Sequence, residues 1–315
     1  MTEESEWISL HAFHRGDLDR LVAQAVVPLV KELPLRGWFF LRYWEGGPHL
    51  RLRLLPEPGR RAEVVGTARG ALADHLAANP SPPGFDAEGY AKVAEALANY
   101  ENLADYDRGV RRDDSVELIA YRREHHAYGA LESMLAVERH FTESSEIAAE
   151  VIREGTGKDE RRGLGLAFLL RTLADLQPDR RLLVDTLTGG RERMGADLES
   201  AFQARRDVLT KAAGQAWEGV AGEPAVERWL ASSRALRVRL TELDSAGLLD
   251  IEPPASPLAW QLDGIGTGSK RVALILMRCL HLVNNRMGLS VHDEIYLGYL
   301  GFRAIADLAS PGELP

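Results

Sequence analysis

The period of apolar positions changes several times along the first third of the chain. Residues 7–13, WISLHAF, alternate apolar and polar with the two-residue period of a half-buried strand. Asp17 is placed to cap a helix reaching about Leu33, with Leu18, Leu21, Val22, Ala25 and Leu29 on one stripe. Pro28 inside that pattern predicts a kink. The aromatic stretch WFFLRYW is extended in character, and E-G-G-P leads from it into HLRLRL, so the two segments read as a hairpin. In its second strand Leu50, Leu52 and Leu54 share one face, while His49, Arg51 and Arg53 share the other. Residues 60–78 are helical in pattern, 79–86 (NPSPPGFD) form a loop, and 88–98 form a short helix. Strand, helix, strand, strand, helix is a split βαβ-like order.

A charged loop, DYDRGVRRDD, precedes residues 115–121 (SVELIAY), which read as another strand. From Gly129 the three-to-four-residue period takes over. Helices are expected through LESMLAVERHF and SSEIAAEVI, then over about 160–175, 179–193, 196–216 and 223–246. PPASP (253–257) breaks the pattern. Ser269 can cap an apolar helix ending near Asn285, and Ser290 can cap a last one ending near Leu308. The expected class is α+β: an antiparallel or mixed sheet with helices, then a mostly helical remainder. No repeat and no flexible linker interrupts it, so residues 1–315 are expected as one unit, sheet-rich to about 125 and helical from 126.

Composition narrows the function. A net charge of −9 opposes general binding to a nucleic-acid backbone, which needs a basic surface. The single cysteine, Cys279, permits no internal disulfide and fits a reducing compartment. The acidic start lacks a signal-peptide apolar region, and no window approaches the ~20 apolar residues of a membrane span. A soluble cytoplasmic protein is expected.

GIGTGSK (264–270) fails as a phosphate loop, because Ser269 stands where the second glycine belongs and no strand precedes it. His125, His126 and His140 lack any zinc-ligand spacing, so no metal site is expected. No GxSxG elbow occurs.

Three places could carry chemistry. The hairpin offers Arg42, His49, Arg51 and Arg53, and the planar fork of arginine suits carboxylates; a solvated charged face is the ordinary alternative. AYRREHHAYG (120–129) gathers Tyr121, Glu124 and His126 where a strand meets a helix, which is equally readable as a polar strand end. In the last two helices, His281 lies in a segment apolar nearly all round, with Asn284 and Asn285 one turn on. A buried neutral histidine beside amides can transfer protons near pH 7, though a core histidine is more often structural. Ser290 with Asp293 resembles a capping box, and Tyr296 and Tyr299 sit one turn apart.

Taken together and in this order, these places resemble the C-terminal elimination domain of lantibiotic dehydratases, in the stand-alone form of thiopeptide biosynthesis. The similarity lies in WISLHAFHRGDLDRLVAQAVVPLV, RYWEGGPHLRLRL, YRREHHAYGALESMLAVERHFTESSEIA and HLVNNRMG, and spans about residues 7–306. The resemblance implies one of two activities. One branch eliminates glutamate from glutamylated serine or threonine. The other, the pyridine synthases, joins two dehydroalanines in a formal [4+2] cycloaddition, then loses water and the leader peptide. Neither implies a cofactor or metal. The implied partner is a modified precursor peptide, a leader followed by an azole- and dehydroalanine-bearing core.

Eliminating members usually carry YxPExxRYGG in the second run. Tyr121, Glu124, Tyr128 and Gly129 match it, but Arg123 replaces proline, Ala127 replaces arginine and Ala130 replaces the second glycine. Losing that arginine removes a clamp for the departing glutamate, and the Ser290 and Tyr296 spacing also resembles the pyridine synthases, so that branch is favoured. Tyr296, Ser290, His281 and Glu124 are then the candidates for proton transfer. Arg42, His49, Arg51, Arg53, Tyr121, His126, Asn285 and Tyr299 are the candidates for peptide binding. Glutamate elimination by a split dehydratase, and a non-catalytic leader-binding subunit, remain the alternatives. A dimer or association with other biosynthetic enzymes is left open.

Overall fold

The computed structural model describes residues 6–101, 103, 105–187, 196–251 and 270–309. The expected break at 253–257, the glycine-rich 264–269 with its cap, and the end of the helix expected over 179–193 lie outside these residues. The chain forms two compact units, Met1–Arg123 with Ala148–Gly155, and Glu124–Ile147 with Thr156–Pro315.

The first unit contains β1 (Ile8–Phe13), α1 (Leu18–Leu21), α2 (Val27–Glu32), β2 (Leu35–Tyr43), β3 (His49–Pro56), α3 (Arg61–Ala78), α4 (Ala87–Glu101) and β4 (Ser115–Leu118). The strands form one sheet in the order β2-β3-β1-β4, antiparallel at every pairing. Asp17 caps α1 as expected, accepting from the Asp19 and Arg20 amides at 2.8 and 3.1 Å. The helix passes Pro28 through a π-helical turn at Val22–Val26, in which the Val27 amide donates to the Val22 carbonyl. Proline cannot donate to a carbonyl four residues back, and the wider turn takes up that mismatch. The fourth strand is shorter than expected: residues 119–121 carry on beyond it without strand assignment.

Register fixes the two faces of the sheet. Leu10, opposite Leu52 and Leu118, and Ala12, opposite Leu50 and Val116, belong to the apolar face with Phe40. Helix α3 packs on β1 and β4. Its fully buried stripe of Val64, Ala68, Leu72 and Leu76 recurs every four residues, the spacing that keeps side chains on one helical face. The opposite face carries Ser9, His11, Phe13, Phe39, Tyr43, His49, Arg51 and Arg53.

The second unit contains α5 (His125–Tyr128), α6 (Leu131–Arg153, whose end from Ala148 groups with the sheet), α7 (Lys158–Leu176), α8 (Arg180–Leu187), α9 (Ala196–Gln203), α10 (Arg206–Trp217), α11 (Pro224–Ser245), α12 (Lys270–Arg286) and α13 (Val291–Ala309). The single helix expected over 196–216 is two, because Arg205 leaves helical geometry at φ −129°, ψ 10°. Helix α7 packs against α10, α11, α12 and α13. Its approach to the last two helices requires Gly165, where a Cβ would lie 2.9 Å from Leu289, 3.0 Å from Asn284 and 3.1 Å from Leu297. Helix α12 is buried from Val272 to Met277, as its all-round apolar pattern predicts.

Candidate functional site

Each unit assembles part of the expected residue set. In the sheet unit, the polar face is not a solvated one. His49 is fully buried and Arg53 is 7% exposed. Cross-strand pairing sets Phe13 opposite His49, His11 opposite Arg51 and Ser9 opposite Arg53 on β1, with Tyr43, Leu41 and Phe39 opposite the same three residues on β2. The rings of His11 and His49 stack at 4.9 Å. The Arg51 guanidinium lies 3.4 Å from the centre of the Tyr43 ring, donates to His49 Nε2 at 3.2 Å and pairs with Glu45 at 3.1 Å. Arg53 lies over the ring of Tyr121 at 5.3 Å, and that ring also meets Trp7 and Phe39 edge-on. Burial and the neighbouring guanidiniums hold both imidazoles neutral: His49 falls to about 4, against a bond from its Nδ1 to the Gly47 carbonyl, and His11 to about 2.

Arg42 is a correction to the expected basic cluster. It stands opposite Leu50, on the apolar face, and its guanidinium pairs with Asp19 at the start of α1. The alternation that unites residues 49, 51 and 53 lies in β3, whereas Arg42 falls on the other phase of β2. Sequence reasoning missed Ser9 and His11. Ser9 Oγ and His11 Nε2 are buried without a hydrogen-bond partner among the described residues, so this face has hydrogen-bonding capacity to offer a ligand. The signal was available in WISLHAF, whose alternation puts Ser9 and His11 in phase, but the pairing with the arginines depends on register.

In the helical unit His281 is half-buried rather than buried among amides. Its Nδ1 meets both carboxylate oxygens of Glu294 on α13 at 2.9 Å. The carboxylate fixes the orientation of the ring. Asn284 is buried and Asn285 half-buried in the following turn. Glu294 was absent from the expected set, because thirteen residues and a turn separate it from His281 and only helix packing joins them.

The other residues of α13 face elsewhere. Ser290 and Asp293 form a reciprocal cap: Ser290 Oγ donates to Asp293 Oδ2 at 2.7 Å, and the Asp293 amide donates to Ser290 Oγ at 3.2 Å. Asp293 is also held by Arg162 and Lys158 of α7. Against its burial, the bonds from Ser290 and these two cations hold its carboxyl well below the usual carboxylate range. Two residues after Glu294, about 200° around the helix, Tyr296 accepts from Arg205 at 3.3 Å. Tyr299 donates to Glu199, which Arg303 grips at 2.9 and 3.0 Å. Glu199 therefore falls to about 2, with Arg303 the main cause.

Glu124 begins α5 and, like His126, is exposed. Ala127, at the arginine position of the eliminating pattern, is buried, and Arg278 of α12 donates to its carbonyl. Gly129 closes α5 at φ +89°, where a side chain would be strained. His125 bonds the Gly129 carbonyl at 2.8 Å, and His140 bonds Ser232 at 2.7 Å. Among the described residues, no group of three or more His, Cys, Asp or Glu is placed to hold a metal ion, and no helix is long and apolar enough to cross a membrane. Burial pushes the Cys279 thiol up to about 12.

Comparison with known proteins supplies the remaining findings. Residues 7–305 match the family described as lantibiotic biosynthesis dehydratase C-term. No curated protein matches the chain. The fold is similar to that of TbtD, a pyridine synthase from thiomuracin biosynthesis, at TM-score 0.76 and 18% identity over 97% of this chain and 99% of that one. It is similar to TsrL at TM-score 0.67 and 17% identity over 96% and 95%. It is also similar to the tRNA-dependent lantibiotic dehydratase MibB from Microbispora sp. 107891, at TM-score 0.57 and 19% identity, covering 98% of this chain and 28% of that one.

Proposed function

We propose, on the premise that this chain belongs to the lantibiotic biosynthesis dehydratase C-terminal family, that it is a cytoplasmic pyridine synthase of thiopeptide biosynthesis. Its substrate is a leader-bearing, azole-containing peptide with two dehydroalanines. The two are joined in a formal [4+2] cycloaddition, and the ring then loses water and the leader, the latter as an amide. One amide must first become its iminol tautomer, so three proton-transfer events flank the ring closure.

His281, held by Glu294, is the proton-transfer group of this scheme, with its ring geometry set before substrate arrives. Tyr296, fixed by Arg205, is a hydrogen-bond donor to the amide oxygen. Ser290 can accept a hydrogen bond, but its own proton is committed to Asp293. Glu124 and His126, both exposed, are available to the peptide. In the sheet unit Arg51 and Arg53, backed by Ser9 and His11, bind backbone or carboxylate groups of the same substrate. Binding energy from groups that do not react holds two ends of a long peptide together, which is most of what a cycloaddition asks of a protein.

The His281–Glu294 pair would serve elimination as well. The observation that carries the choice between branches is Ala127: a buried methyl occupies the position of the clamp for a departing glutamate. One observation favours the second reading, since Arg278 brings a guanidinium to the Ala127 backbone and could hold that glutamate instead. The test is to incubate the purified chain with a synthetic leader-bearing thiazole peptide carrying two dehydroalanines and to follow it by mass spectrometry. Loss of water with release of an intact leader amide is expected; a peptide returned unchanged contradicts the proposal.

A further inference from the structure

The sheet has an open side. β4 is its last strand, paired only to β1. The Ile119 amide donates to the Ser9 carbonyl at 3.1 Å. That bond sets the phase: in an antiparallel ladder, residues 115, 117 and 119 turn their backbone groups toward β1, and Val116 and Leu118 turn theirs outward. Among the described residues no backbone or side-chain group bonds those outward amides and carbonyls. Leu118 is 55% exposed, an uncommon state for a strand leucine. Exposed edges are ordinarily blunted by charge, proline or a covering loop. No lysine, arginine or proline lies within β4.

Exposed arginines border this edge, with the exposed carboxylate of Glu124 close by in sequence. The carboxylates of residues 107–117 are already engaged: Asp107 and Glu117 by Arg111, Asp113 by Arg15, and Asp114 by His14 and Ser81. Arg112 before the strand and Arg122 after it are exposed and have no ion-pair partner among the described residues. The chain as a whole carries −9, so a cationic border on this edge runs against its surroundings.

We propose that the outer edge of β4 binds an extended acidic peptide by strand addition, with Val116 and Leu118 supplying main-chain hydrogen bonds and Arg112 and Arg122 bracketing its carboxylates. Main-chain pairing gives affinity with little demand on sequence, and the bracketing charges select acidic segments. The occupant is an acidic stretch of the precursor peptide, which rests on the reading of this chain as a peptide-processing enzyme.

The probe is a fluorescein-labelled peptide of four Glu-Val repeats, titrated against the full chain by anisotropy at low ionic strength. Saturable binding is expected, with slowed hydrogen exchange at the Val116 and Leu118 amides. N-methylation of every probe amide is expected to weaken binding by roughly tenfold or more, since it removes the ladder's donors on both edges of the strand and leaves the charge. Leu118→Pro is expected to do the same, and proline is tolerated at an outward edge position; should that variant lose its fold, the N-methylated probe on the unaltered chain decides. Arg112→Glu with Arg122→Glu is expected to weaken binding at low salt and converge with the parent at high salt. Absence of binding, or equal binding of the N-methylated probe, overturns the proposal. So does concentration-dependent self-association that Leu118→Pro abolishes, which assigns the edge to a second copy. Probe binding without turnover of the dehydroalanine peptide would remove the proposed chemistry and leave this edge standing.

Discussion

His281 shows what residue identity does and does not reveal. Its type and its setting in an apolar helix mark it as unusual, yet the partner that orients it, Glu294, is invisible until α12 and α13 are packed. The pairing yields a direct expectation. His281→Ala should cost about 10²–10⁴-fold in rate, the range for a lost acid–base group. Glu294→Gln should cost less, and its kcat profile should shift with pH while its thermal midpoint stays near the parent's. Equal loss of stability in both variants would make the pair structural. A second expectation concerns the buried imidazoles. His49 falls to about 4 and His140, buried and beside Arg286, to about 3. Both are neutral when folded and have an ordinary value near 6.5 when unfolded, so the unfolded chain binds more protons below that pH. Stability should be unaffected above pH 6.5 and decline from there toward pH 4, by at most ~1.4 kcal/mol per pH unit for each histidine. Urea unfolding at pH 7 and pH 5 measures it; equal midpoints would mean that neither ring is held neutral in the fold.

Elements were more legible than sites. Alternation in WISLHAF and HLRLRL found β1 and β3, and the helical pattern of residues 60–78 found α3, because both periods are set by local backbone geometry. The π turn before Pro28 and the break at Arg205 escaped, since neither changes the apolar pattern. The placement of Arg42 escaped because hairpin phase depends on register rather than on residue type. Ser290 was legible in both of its senses, and the cap is the one the hydrogen bonds display. Ser290→Ala should therefore lower stability by about 1 kcal/mol through the lost cap. An activity loss larger than the lost fraction folded would separate a chemical role from this one. Gly165→Ala should destabilise by about 1–3 kcal/mol through overpacking against Leu289, Asn284 and Leu297. An unchanged denaturant midpoint would show that α7 can move away at no cost.

For the whole molecule, family membership and fold rest on residues 7–305 and on structural similarity along nearly the full chain. The reaction rests on fewer residues. Fold alone does not choose the reaction, because it is similar both to a pyridine synthase, TbtD, and to a lantibiotic dehydratase, MibB. Ala127 and Arg278 pull in opposite directions on that choice, so the branch is settled by turnover rather than by shape. The direct measurement is a competition in one tube. The purified chain is given equal amounts of the two-dehydroalanine peptide and its glutamylated-serine counterpart, and both are followed by mass spectrometry. Consumption of the first, with loss of water and release of the leader amide, while the second persists, is the expected result. Loss of glutamate from the second while the first persists would contradict it and make this chain an eliminating enzyme.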